Sequence, residues 1–85
     1  MITLKVGEVR EVAFEFESDE TFVIGSANYK IIDSLDIELS TGMAQIEGSK
    51  VIALFSATII GDFKVLFDVG IETEIYKPIS IVHVK

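Results

Sequence analysis

The sequence contains no cysteine and no tryptophan, a single proline, a single histidine, and only 7 Lys and Arg against 14 Asp and Glu. Each scarcity excludes something. Without cysteine there is no disulfide staple and no thiolate metal site, and cysteine usage says nothing about redox compartment. A formal net charge of −7 and a pI near 4.5 argue against a surface that tracks nucleic-acid phosphates. The longest apolar stretches run to a few residues, far short of the ~20 that cross a bilayer as a helix. Met1 leads straight into alternating sequence, without a basic segment or an apolar one behind it. The expectation is therefore no cleaved secretion signal, no membrane insertion and synthesis in the cytoplasm.

What is present is a hydrophobic chain. Apolar residues make up 49% of the 85 positions, and the mean hydropathy is +0.50, a balance that excludes intrinsic disorder. The length predicts one domain over residues 1–85. A chain of this size buries only somewhat over ~60% of its unfolded surface, so every core position counts.

Periodicity sets the class. Val12, Phe14 and Phe16 alternate with Ala13, Glu15 and Glu17. Phe63, Val65, Phe67 and Val69 alternate with Lys64, Leu66 and Asp68. This period of two marks half-buried strands, and no long stretch keeps a helical period. The chain reads as all-β, with strands at about 2–6, 9–17, 26–33, 35–40, 43–47, 50–57, 62–70 and 73–84. Gly7, Gly42, Gly61 and Gly70 are expected between strands, with Ser18-Asp19-Glu20 and Asp33-Ser34 as polar turns. Short strands at this spacing point to a sandwich or small barrel.

Gly48-Ser49 has the form of a two-residue type II′ turn. It sets Glu47 against Lys50, Ile46 against Val51 and Gln45 against Ile52, continuing to Ala44 against Ala53 and Met43 against Leu54. Ala44, Ile46, Val51, Ala53 and Phe55 then share a core face, with a Glu47–Lys50 pair on the other. In the last strand Pro78 cannot donate to a ladder, so that strand is at an edge, bulged or interrupted. Beyond it either Ile79, Ile81 and His83 or Ser80, Val82 and Val84 can face inward. The second set is the reading adopted, since it leaves the lone histidine in solvent.

The segment from Ala57 through Ile59, Ile60, Gly61, Asp62 and Phe63 to Phe67 resembles the corner before strand F of immunoglobulin-like domains, where a small residue and an aromatic lead into an alternating strand. Phe63 stands where that family usually has Tyr, so the corner's hydroxyl hydrogen bond is lost, and the paired cysteines and tryptophan of antibody-type domains are missing. Together with Val6-Gly7-Glu8, Ala27 to Asp33 and Ser40-Thr41-Gly42, the pattern over nearly the whole chain is similar to the short immunoglobulin-like proteins among phage and prophage head and tail components. That resemblance implies an antiparallel sandwich of about seven or eight strands and a role in assembly or adhesion. It carries over no catalytic residue.

The candidate chemistry is thin. His83 lacks a nucleophile elbow to serve, Ser26 and Ser56 have no suitable context, and a surface histidine is the better reading. Asp33, Asp36 and Glu38, or Ser18-Asp19-Glu20, could offer oxygens to calcium, but neither has the spacing of a calcium loop, and both read as solvated turns. Glu11, Glu15 and Glu17 share one exposed strand face, either a solubilising surface or a dock for a basic partner. No cofactor, metal or catalytic residue is expected.

The surplus apolar residues are more informative. Ile32 and Leu66 fall at outward parity on strands of one sheet, and Met43, Ile52 and Leu54 do so on the other. They form either a contact surface or a locally covered region. The expected function is a non-enzymatic structural or protein-interaction protein, a small virion or assembly component that self-associates or binds a protein partner through these five residues. The alternative is a carbohydrate-binding or adhesion module, for which Tyr76 and Phe22 are the available aromatics.

Overall fold

The structure, a computed structural model, describes residues 1–85. It has nine strands and no helix: β1 (Ile2–Leu4), β2 (Val9–Glu15), β3 (Ile24–Asp33), β4 (Glu38–Met43), β5 (Gln45–Glu47), β6 (Lys50–Ser56), β7 (Gly61–Ile71), β8 (Glu74–Tyr76) and β9 (Ile79–Val84). They form two sheets. The larger runs β1-β9-β7-β3-β4, with β8 also on β7, and the smaller runs β2-β6-β5. All pairings are antiparallel except β1 with β9.

Alternation does the sorting. Along β7, Phe63, Val65, Phe67 and Val69 are buried while Asp62, Lys64 and Asp68 face solvent. Val51, Ala53 and Phe55 of β6 and Val12 of β2 meet them from the smaller sheet, in a core of sixteen buried residues that also takes in Leu4, Ala27, Val82 and Val84. No polar or charged residue is buried. Apolar area removed from water therefore holds the sheets together, at about 25 cal/mol per Å².

The hairpin register is as the turn chemistry requires: Gln45 faces Ile52, Ile46 faces Val51 and Glu47 faces Lys50. Gly48 takes φ +61°, as the first residue of such a turn must. Glu47 and Lys50 are the cross-strand pair expected, set opposite each other without closing to an ion pair. The ladder also ends at Gln45 instead of running on to Met43. Ala44 N–H donates to Ala27 O (3.0 Å), and the chain steps from the larger sheet to the smaller at that residue.

Two glycines read as turns lie inside strands. Gly42 sits opposite Tyr29 in β4, where a Cβ would come within 3.2 Å of the Tyr29 ring. The glycine is there for close approach. Gly70 lies in β7 opposite Ser26, and the hairpin turn comes later, at Glu72-Thr73. The strand expected at 35–40 begins at Glu38, because Asp33 Oδ1 accepts N–H groups from Leu35 (2.8 Å) and Ile37 (3.0 Å) and holds the preceding residues in a loop.

The final strand is interrupted at Lys77-Pro78 without losing register. Val69 faces Tyr76 and Leu66 faces Ile79, three residues further along both strands. Phe67 N–H still donates to Pro78 O (2.9 Å), and the return hydrogen bond is the one proline cannot make. Val82 and Val84 are fully buried, and His83 points outward.

Candidate functional site

The outward sheet faces hold part of the apolar surplus, the rest standing in loops at Val23, Leu35, Ile37, Ile59 and Ile60, and each expected contact residue can be placed on a face. Ile32 and Leu66 lie on the outer face of the larger sheet, both half-buried. Ile32 faces Lys64, which faces Ile81, while Lys30 faces Leu66, which faces Ile79. Apolar and lysine side chains thus form a chequerboard across three strands, with lysine stems able to cover neighbouring apolar surface. Ile75, opposite Gly70, shares the outward parity but stands beyond the row of Asp68 and Lys77. Ile75, Ile79 and Ile81 are 69%, 51% and 42% exposed. Ile79 and Ile81 adjoin, with Leu66 beside Ile79, as an apolar cluster rimmed by lysines.

The second expected group divides. Leu54 is exposed on the outer face of the smaller sheet, opposite Glu11. Ile52 was expected to be exposed beside it and is not, at 6%. It occupies the middle strand between Ala13 and Gln45, in a surface depression walled by Glu11, Met43, Gln45 and Leu54. Met43 belongs by pairing to the larger sheet, opposite Asn28. Its side chain, 85% exposed, still lines that depression because the strand crosses between sheets at the next residue. Leu54 also borders a cleft of about 210 Å³ whose floor includes the core residues Ile31, Phe55 and Phe63.

The carboxylates do not converge. Asp33 spends one oxygen on backbone N–H groups, and Glu38 pairs with Lys30 at 3.6 Å. Asp36 adopts φ +61° in the same loop. In the other acidic loop Ser18 Oγ accepts Glu20 N–H at 3.1 Å, a local turn. No three His, Asp or Glu side chains are grouped to hold a metal ion. His83 Nδ1 meets Asp62 Oδ1 on the adjacent strand, with Thr3 opposite on the other side. The row lies on an open sheet face.

Tyr76 and Phe22 come together with Phe16 at one end of the sandwich, around a depression of about 300 Å³ ringed by Glu17, Glu20, Glu72 and Glu74. Phe16 packs edge-on between Phe14 and Tyr76. Tyr76 Oη donates to Glu74 Oε2, and that hydrogen bond and the carboxylate charge hold the phenol above its ordinary pKa.

Ile75, Ile79 and Ile81 are the residues that sequence reasoning left out. Choosing Val82 and Val84 as internal already implied Ile79 and Ile81 outside. The unbroken register across Pro78, which places Ile75 at the same outward parity, depends on long-range pairing. No protein-family model, curated protein or solved structure matches this chain. No helix is long and apolar enough to cross a membrane.

Proposed function

We propose that this chain is a non-enzymatic protein-interaction domain with an immunoglobulin-like sandwich, serving as a small structural component of a virion or of its assembly. The single observation that carries the interaction reading is the cluster of exposed Ile79 and Ile81 beside half-buried Leu66 and Ile32, side chains brought together on one outward sheet face. Support for the immunoglobulin-like reading comes from strand order. The second, sixth and fifth strands make one sheet, and the third and seventh sit at the centre of the other with the last strand beside them, as B, E, D and C, F, G do in that fold. A short first strand parallel to the last adds to the likeness. The virion setting rests on the resemblance of the 57–67 corner and the overall motif pattern.

The test is chemical cross-linking in the cells or particles that carry the protein, followed by mass spectrometry. The reading expects cross-links from Lys30, Lys64 or Lys77 to another protein chain, whether a second copy or a structural partner. Recovery of the protein only as an isolated monomer would overturn it. A second reading, carbohydrate binding, is favoured by the Phe16, Phe22 and Tyr76 end with its carboxylates. Two of those rings pack on the core, leaving Tyr76 as the exposed platform. Retention on an immobilised polysaccharide that Tyr76→Ala abolishes would favour that reading instead.

A further inference from the structure

We infer that the outer face of the larger sheet is a self-complementary interface that joins two copies of this chain face to face. The inference rests on the interaction reading above and names its partner and surface. The first ground is charge. The outward rows of this face carry Lys30, Lys64 and Lys77 against Glu38, Asp62 and Asp68, so its formal charge is zero and the molecule's −7 lies elsewhere. A basic partner gains nothing here in net attraction and is drawn to the acidic end instead. A second copy approaches this face without net repulsion.

The second ground is that some charges are left without partners. The chain's ion pairs are Arg10–Glu8 and Lys30–Glu38, and Asp62 meets the His83 ring. Lys64, Lys77 and Asp68 have none, and a two-fold contact sets each surface against its own copy, so the lysines of one chain can reach Asp68 of the other.

Area is the third. Strands lie about 4.8 Å apart and rise ~3.3 Å per residue, so β7, β3, the shorter β4 and the run from β8 through β9 give a face of roughly 600 Å². Specific interfaces begin at about 600 Å² per partner, so the whole face reaches the lower end of what a stable dimer needs. Its centre holds Leu66, Ile79, Ile81 and Ile32, with the lysines interspersed.

Finally, the edges are poor alternatives. β1 and β5 are three residues long, β2 carries Arg10, Glu11 and Glu15, β4 pairs through a bulge at Ile31/Ile32, and the β8–β9 edge is broken at Pro78. Short, charged, bulged or proline-interrupted edges resist strand addition, so association through a face is favoured over association through an edge.

The test uses the full chain. Light scattering over a wide concentration range is expected to rise from 9.4 kDa to twice that mass. Ile79→Lys with Ile81→Lys should abolish the rise while leaving the circular dichroism spectrum and thermal midpoint in place, and Leu54→Asp on the opposite face should leave it intact. Because the chain has no cysteine, Lys64→Cys can be joined to its own copy by a short bis-maleimide, whereas Glu47→Cys on the other sheet should not be. A monomeric mass at every concentration overturns the dimer, as does a dimer that survives the Ile79/Ile81 change or is lost with Leu54→Asp. If cross-linking at source still recovers a different protein, only the self-pairing falls and the interaction reading stands.

Discussion

Two hairpins of this protein turn through two residues, and they solve the same steric problem differently. Gly48 and Glu72 each stand first in the turn with positive φ, +61° and +56°. A positive φ costs an L-residue with a Cβ about 1–2 kcal/mol, and glycine avoids that cost. Glu72→Gly should release it, less the ~0.5–1 kcal/mol by which glycine's freedom favours the unfolded chain. The net expectation is about 0.5–1 kcal/mol of added stability. Gly48→Glu should lose a similar amount, and because a Cβ there would meet nothing within 4 Å, the loss is purely conformational. With a urea m-value of roughly 1 kcal/mol/M for so small a chain, the midpoints should move by about 0.5–1 M in opposite directions. Glu72 also sits near Glu74 and Glu20, so Glu72→Ala serves as the control, removing the charge while keeping the strain. A Glu72→Gly midpoint no higher than that of Glu72→Ala, or a neutral Gly48→Glu, would refute the reasoning.

Three further outcomes are expected. Phe67 is 1% exposed at the centre of β7, so Phe67→Ala should cost about 3–5 kcal/mol. At 85 residues the whole fold is worth only ~4–13 kcal/mol, so a thermal melt should show a large drop or no folded baseline. Asp33→Ala removes the acceptor for two backbone N–H groups and should lower stability by about 1 kcal/mol in a denaturant titration, with Asp33→Asn retaining part of it. Tyr76 has its folded pKa raised by Glu74, so the contact stabilises the protein fully below the unfolded value near 10 and is lost as pH rises through the folded one. Absorbance titration of the phenolate should show Tyr76 ionising late, and Glu74→Gln should bring it back down.

Much of the fold was legible because strand alternation is local. Phe63, Val65, Phe67 and Val69 face inward as their spacing requires, and the Gly48-Ser49 turn dictated its own register. Glycine was harder to read. Gly42 and Gly70 look like Gly7 and Gly61 in sequence, yet one makes room for the Tyr29 ring and the other faces Ser26 across the sheet. Those demands come from residues thirteen or more positions away. The candidate surface was half legible for the same reason: parity placed Ile32, Leu66 and Leu54 on outward faces, but exposure depends on neighbours, and Ile52 is covered while Ile75, Ile79 and Ile81 are open.

The sequence by itself determined that this is an all-β chain with a core free of cysteine, since a period of two and a composition are properties of the chain alone. Tertiary structure decided where the excess hydrophobicity is displayed. Chain pairing across Pro78 and the crossing at Ala44 fix which outward side chains become neighbours, and a patch is defined by neighbours in space.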